Sequence, residues 1–306
     1  MGFDVLPDWA VKYNFTHHSP SGANRPNCLE LFDKIIARPE ELRSPANANM
    51  VAGTAVEDYC NAVIVKNQDE RDAFAHALSI LDAHKSPEHM PDDKDRFELF
   101  RNTPIEKKIK RDEQEIILTG THFELVCQHA LQGLREATEG ANRVSDGRWV
   151  SVELESVELP FTGELDFEMP GVVELKTKWP YFKPDTKQGW GTNSLPAKPM
   201  KAHCRQVALY WKWLREQADN VPVKIVYANT LGYRVFTDEN CEELQEQSLR
   251  EHLDSLRMIA RARETLMKTA DDIETLFNLV PPDFSFYQWR DKPEAYKQRA
   301  REIWGI

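Results

Sequence analysis

The chain has 306 residues, 29% of them charged and 41% hydrophobic, and a formal net charge of −11 at pH 7. That composition predicts a globular fold with a sizeable core, and no run approaches the roughly 18 uninterrupted apolar residues of a transmembrane helix. The opening stretch from Met1 to Asp8 lacks the basic start and apolar centre of a signal peptide, and Leu6 stands where a myristoylation motif needs Ser or Thr.

Residues 1–26 are polar and punctuated by Pro and Gly. Helices are expected over 27–38, ending before Pro39, and over 49–66, 69–85, 92–101 and 120–139, with Thr119 as a cap for the last. From Arg148 to Leu159 the pattern alternates, Val150, Val152 and Leu154 against Ser151, Glu153 and Glu155, which is a strand period. A hairpin follows around Pro170-Gly171. Residues 177–199 form a loop rich in Lys, Pro, Gly and aromatics; a loop this long inside a compact unit is usually functional or mobile. A helix over 200–217, strands over 221–229 and 232–236, a long charged helix over 238–269, another over 271–279 and an irregular aromatic tail complete the chain. No clean linker is seen. One domain over 1–306 is expected, with a mostly helical part to 140, a core over 148–237 and helical additions from 238 onward.

The hairpin carries the chemistry. Two apolar-rich runs, Gly163-Glu164-Leu165-Asp166-Phe167 and Val172-Val173-Glu174-Leu175-Lys176, flank the turn. Pairing centred on Pro170 sets Asp166 opposite Glu174, with Lys176 on the same face, while Leu165, Phe167, Val173 and Leu175 form the other. Two carboxylates directly across from each other repel. A divalent cation between them would make sense of the pairing, since hard cations take carboxylate oxygens. Taken singly, these residues read equally well as a solvated sheet face.

The pattern resembles the PD-(D/E)XK nuclease superfamily, and its RecB-like exonucleases in particular. Gly53-Thr54-Ala55-Val56-Glu57-Asp58 is similar to the acidic helix motif of that group, and Gln206-Val207-Ala208-Leu209-Tyr210 to its Gln-x-x-x-Tyr helix. Four pieces stand in the family's order over roughly residues 50 to 215. His17-His18-Ser19-Pro20-Ser21 weakly resembles the family's Ser-rich entry. The resemblance implies an α/β fold with a restriction-endonuclease-like αβββαβ core, a central mixed sheet flanked by helices. It implies Mg²⁺, with Mn²⁺ able to substitute, held by Asp166, Glu174, Glu57 and the backbone carbonyl of Leu175. The metal would polarise the phosphate and lower the pKa of its water. Lys176 would orient the attacking water and balance developing charge. Gln206 would stand near the scissile phosphate and Tyr210 near the DNA backbone. RecB-like enzymes usually carry His where Glu57 stands, so Glu57 departs from the pattern, and Asp58 is the alternative ligand.

DNA is the expected partner, as linear duplex with ends or as single strands. From Lys176 to Arg205 seven basic residues face the single acid Asp185, a local net charge of +6 within an acidic chain. Lys178, Lys183, Lys187, Lys201, His203 and Arg205 are candidate DNA contacts, with Trp179 and Trp190 as stacking aromatics beside Tyr181 and Phe182. Cys28, Cys60, Cys127, Cys204 and Cys241 are scattered and contain no Cys-x-x-Cys, which reads as reduced thiols in a cytosolic protein; the resemblance implies a bacterial or phage-infected cytoplasm. Only Cys241 follows Tyr210, so no iron–sulfur cluster is expected. No P-loop or helicase motif appears, so no ATP is expected either. An exonuclease of recombination, repair or phage DNA metabolism is the leading reading. A structure- or sequence-specific endonuclease and a non-catalytic DNA- or protein-binding member are the rivals. A recombination partner protein, the oligomeric state and strand polarity are left open, and no membrane association is expected.

Overall fold

A computed structural model describes the chain except residues 1–5, 14, 38, 40, 41, 44, 45, 85–90, 112, 113, 142, 143, 183–189, 192, 290 and 291. It is a mixed α/β structure with several small sheets. In chain order the elements are α1 (Asp8–Lys12), α2 (Asn27–Ile35), α3 (Ala48–Ile64), α4 (Glu70–Ala83), α5 (Pro91–Asn102), β1 (Pro104–Arg111), β2 (Gln114–Thr121) and α6 (His122–Ala137). Then follow β3 (Ser145–Asp146), β4 (Trp149–Val152), β5 (Phe161–Glu164), β6 (Phe167–Met169), β7 (Gly171–Lys178), β8 (Tyr181–Phe182), β9 (Trp190–Gly191) and α7 (Lys201–Arg215). The chain ends with β10 (Val223–Asn229), β11 (Gly232–Thr237), α8 (Glu246–Thr269), α9 (Ile273–Leu279) and α10 (Glu294–Trp304). No helix among the described residues is long and apolar enough to cross a membrane.

The main sheet has five strands in the order β11-β10-β7-β6-β3. Strands β7 and β10 are parallel, joined through α7, and the other neighbours are antiparallel. A parallel pair needs such a crossover because a tight turn cannot reverse the chain twice. The sheet is covered on both faces, so β10 reads as a nearly continuous apolar run and is buried at six of its seven positions. Phe167, Val173, Leu175, Val226 and Ala228 face a core built with α3, α4 and α6. Val172, Val223, Ile225 and Tyr227 face a second core built with α7 and α8. A third core ties the two ends of the chain together, with Phe32 of α2 against Phe277, Trp289, Tyr296 and Trp304.

Buried polar groups fasten the N-terminal segment to α8. Arg263 donates from Nε to Asn27 Oδ1 at 3.0 Å and from Nη2 to the carbonyls of Gly22 and Arg25 at 2.9 and 3.0 Å. Its neighbour Glu264 accepts from the backbone amides of Glu158 and Leu159 and is paired with His18 Nε2 at 3.0 Å. His18 thus has a structural partner, and its carbonyl accepts from Thr162 N beside β5.

Several expectations are corrected. The 148–159 strand is only β4, because the chain turns after Leu154 with Ser156 in the left-handed region at φ 62°. The last N-terminal helix is capped by Thr121 in a full capping box with Glu124, not by Thr119. The β1–β2 hairpin was not expected, while α10 falls among the helical additions expected after 238, where no bounds were set for it. Leu165 joins the α7-side core rather than the face of Phe167 and Val173, since the chain bends at Asp166 between β5 and β6.

Candidate active site

The β6–β7 register is centred on Pro170, with Met169 opposite Gly171, Glu168 opposite Val172 and Phe167 opposite Val173. The ladder stops at Phe167, and Asp166 lies at the bend just before it, beside β7. The backbone amide of Leu175 donates to Asp166 Oδ2 at 2.8 Å, which fixes that carboxylate beside β7. Glu174 is fully buried and forms an ion pair with Lys176 two residues along the same strand. The Lys176 side chain is 23% exposed, so the group opens to solvent on the lysine side.

Glu57 reaches this group from α3. Gly53, one turn earlier, lets the helix approach closely: a Cβ there would stand 3.3 Å from Thr177 Oγ1 of β7. Burial pushes the Glu57 carboxyl up to about 8, with the negative charge of Asp166 adding to the rise. Burial likewise pushes Glu174 up to about 8, again with Asp166 adding to it. Asp166 is raised by burial, which Lys176 and the Leu175 amide oppose. Burial alone would lower Lys176, but Glu174, Asp166 and Glu57 outweigh it and hold the ammonium well above its usual range. Three carboxyl groups therefore surround one ammonium, and Glu174 Oε2 is buried without a hydrogen-bond partner.

A buried carboxyl oxygen without a hydrogen-bond partner, beside two further carboxyl groups that would release their protons to a cation, is the donor chemistry a hard divalent ion requires. Asp166, Glu174 and Glu57 fit such an ion. Among the described residues no three His, Cys, Asp or Glu side chains are already converged as a cage, and Lys176 supplies the countercharge in this conformation. Asp58, the other helix acid, is exposed.

The Gln/Tyr helix lies across the back of the site. Tyr210 is buried, and its hydroxyl donates to the carbonyl of Glu164 at 2.5 Å while accepting from Gln206 Nε2 at 3.1 Å. It does not face DNA as expected; it clamps the end of β5 just before Asp166. Gly163 makes room for the ring, as a Cβ there would meet Tyr210 Oη at 2.8 Å. Gln206 is half-buried and donates to the Tyr210 hydroxyl.

Of the expected DNA contacts, Lys201 is exposed at the start of α7. Lys178 is half-buried with its Nζ 5.9 Å from the Tyr227 ring centroid, and burial, then Lys176, lowers its pKa. His203 is held by the Tyr227 hydroxyl at 2.6 Å. Arg205 instead joins elements, donating to Asn24 Oδ1 and Ser255 Oγ. Trp179 is 3% exposed and packs against the tilted Phe100 ring at 4.7 Å and the near-parallel Phe123 ring at 6.2 Å. It is core, and its burial removes it from any base. Lys183 and Lys187 lie outside the described residues, as does the Trp190 side chain. Two neighbours of the site escaped the sequence reading. Glu164 is exposed and its charge acts on both Asp166 and Glu57. Gly147 lies so close to the Leu165 and Asp166 carbonyls that no side chain fits there.

No protein-family model, curated protein or solved structure matches the chain.

The buried titratable groups set an acid–base profile for the metal-free protein. Burial holds His122 down to about 4 and His203 down to about 3, against 6.5 unfolded. The unfolded chain takes up those protons first, so their contribution to stability is lost as pH falls below about 6.5. Glu57 and Glu174 act in the opposite sense: folded, they keep protons that the unfolded chain releases above 4.5, so stability falls as pH rises toward about 8. The two effects oppose each other between about 4.5 and 6.5. In EDTA the melting temperature is expected to be highest in that interval and to decline from pH 6.5 to 8. A melting temperature that rises from pH 6.5 to 8 would contradict the buried-carboxylate account.

Proposed function

We propose that this chain is a divalent-metal-dependent deoxyribonuclease of the PD-(D/E)XK type, with exonuclease favoured over endonuclease. The observation that carries the reading is the meeting of Asp166, Glu174, Lys176 and Glu57 at one half-buried place, where three desolvated carboxyl groups surround one ammonium. Such mutually perturbed groups cluster at sites of chemistry. The mixed sheet with its parallel β7–β10 pair and α7 crossover supports the restriction-endonuclease-like core.

Asp166, Glu174 and Glu57 would hold Mg²⁺ or Mn²⁺, which when bound supplies phosphoryl polarisation and a more acidic water. Lys176 has the charge to stabilise the phosphorane and three donors with which to hold the attacking water. The Leu175 amide orients Asp166. Tyr210 and Gln206 keep the strand that delivers Asp166 in place.

The test is incubation of pure protein with end-labelled linear duplex, single-stranded and closed circular DNA, in Mg²⁺, Mn²⁺ or EDTA. Metal-dependent loss of linear DNA with circles intact is the expected result. Cut circles would replace the exonuclease by an endonuclease, and no cleavage of any form in either metal would sink the nuclease reading.

A further inference from the structure

We propose that Trp149 is a nucleobase-stacking platform at the mouth of the carboxylate site. This rests on the nuclease reading and adds a binding subsite to it. Trp149 begins β4 and is 69% exposed. A single exposed apolar residue is ordinary; its position is what matters. Trp149 pairs directly with Glu164 of β5, so the two side chains share a face, about 4.5–5.5 Å apart at Cβ. Glu164 is two residues before Asp166, and its charge acts on both Asp166 and Glu57. The pairing therefore places the solvent-exposed indole next to Glu164, two residues along the chain from Asp166.

The strand end that carries it is fixed. Arg148 is paired through Nε with Glu168 at 2.8 Å and lies 4.3 Å from the Trp213 ring centroid, and its carbonyl accepts from the Leu165 amide at 3.1 Å. The same backbone bond ties the start of β4 to the bend that presents Asp166. Trp179, by contrast, is core and offers no exposed face.

The chemistry favours a base over a phosphate. The exposed indole offers a flat apolar face and no cation, and its cross-strand neighbour is the exposed acid Glu164, so it suits the face of a nucleobase rather than a phosphate. Stacking on a rigid indole is sequence-tolerant, because every base presents a π-face. The ligand class is therefore an unpaired nucleotide next to the scissile bond, in single-stranded DNA or at a frayed duplex end.

The experiment is steady-state cleavage of end-labelled single-stranded oligonucleotides by the wild-type protein, Trp149→Ala and Trp149→Phe, with an abasic nucleotide moved stepwise from the end. Trp149→Ala is expected to raise KM about 5- to 150-fold, the equivalent of the ~1–3 kcal/mol that stacking of one base contributes. Trp149→Phe should recover most of that loss. At one position an abasic nucleotide should raise the wild-type KM similarly and erase the difference between wild type and Trp149→Ala. An unchanged KM in Trp149→Ala overturns the platform and leaves the nuclease standing. An equal loss on normal and abasic DNA at every position also overturns it, because a disturbed fold would do the same. No cleavage of single strands by the wild-type protein overturns the platform, and the nuclease reading falls with it only where linear duplex and circles are also left intact.

Discussion

Lys176→Ala is expected to lower DNA cleavage by roughly 10²–10³-fold, the cost typical of deleting one preorganised donor to developing charge. DNA binding should be largely preserved, because the ammonium is turned inward onto Glu174 rather than outward along a groove. The same substitution has a second consequence. It leaves Glu57, Asp166 and fully buried Glu174 with no countercharge, and removing one partner of a buried ion pair costs about 3–5 kcal/mol. The metal-free variant should melt well below the wild type. Mg²⁺ or Mn²⁺ should then raise its melting temperature more than that of the wild type, since an ion replaces the missing positive charge. Parallel melting and cleavage assays in EDTA and in Mn²⁺ check both points. Full activity removes Lys176 from the chemistry, and a melting temperature in EDTA equal to the wild type removes it from the charge balance.

Gly147→Ala is expected to disable the site without touching a charged residue. A Cβ at this position would lie 1.6 Å from the Leu165 carbonyl oxygen and 2.7 Å from that of Asp166. Both obstacles are backbone, so no rotamer change relieves the contact, and the bend carrying Asp166 must move. A misplacement of about 1 Å at a reacting centre can cost roughly 100-fold in rate. Activity is therefore expected to fall by about that factor, with about 1–3 kcal/mol of destabilisation from overpacking. Cleavage kinetics beside a thermal melt separate the two, because the rate loss should persist at temperatures where the variant is fully folded. Near wild-type kinetics would show that the Asp166 bend tolerates displacement.

Much of the hairpin was legible from local pattern. The Pro170-Gly171 turn signal sets a pairing sum, and the pairing of Phe167, Glu168 and Met169 follows it. Period-two alternation then assigns Glu174 and Lys176 to one face whatever the rest of the chain does. The helix carrying Glu57 and the helix carrying Gln206 and Tyr210 were legible for the same reason, from a 3.6-residue apolar period. Glu57 joining the cluster required more, the close α3–β7 approach that Gly53 allows.

The remaining features depend on surfaces distant in sequence. The β1–β2 hairpin hides because Lys107, Lys108, Lys110 and Glu115 dominate its pattern and its apolar residues belong to none of the three cores. Trp179 sits in a Lys-rich stretch that reads as a DNA-binding loop, yet Phe100 and Phe123 from two distant helices enclose it. Trp149 opens an ordinary alternating strand, and its nearness to Asp166 comes from the β4–β5 pairing. The sequence by itself determined the hairpin register and the carboxylate pair, since both follow from residues a few positions apart across one turn. Only the tertiary structure decided which aromatic ring is buried and which meets solvent beside the site, because burial depends on what the rest of the chain packs against a residue.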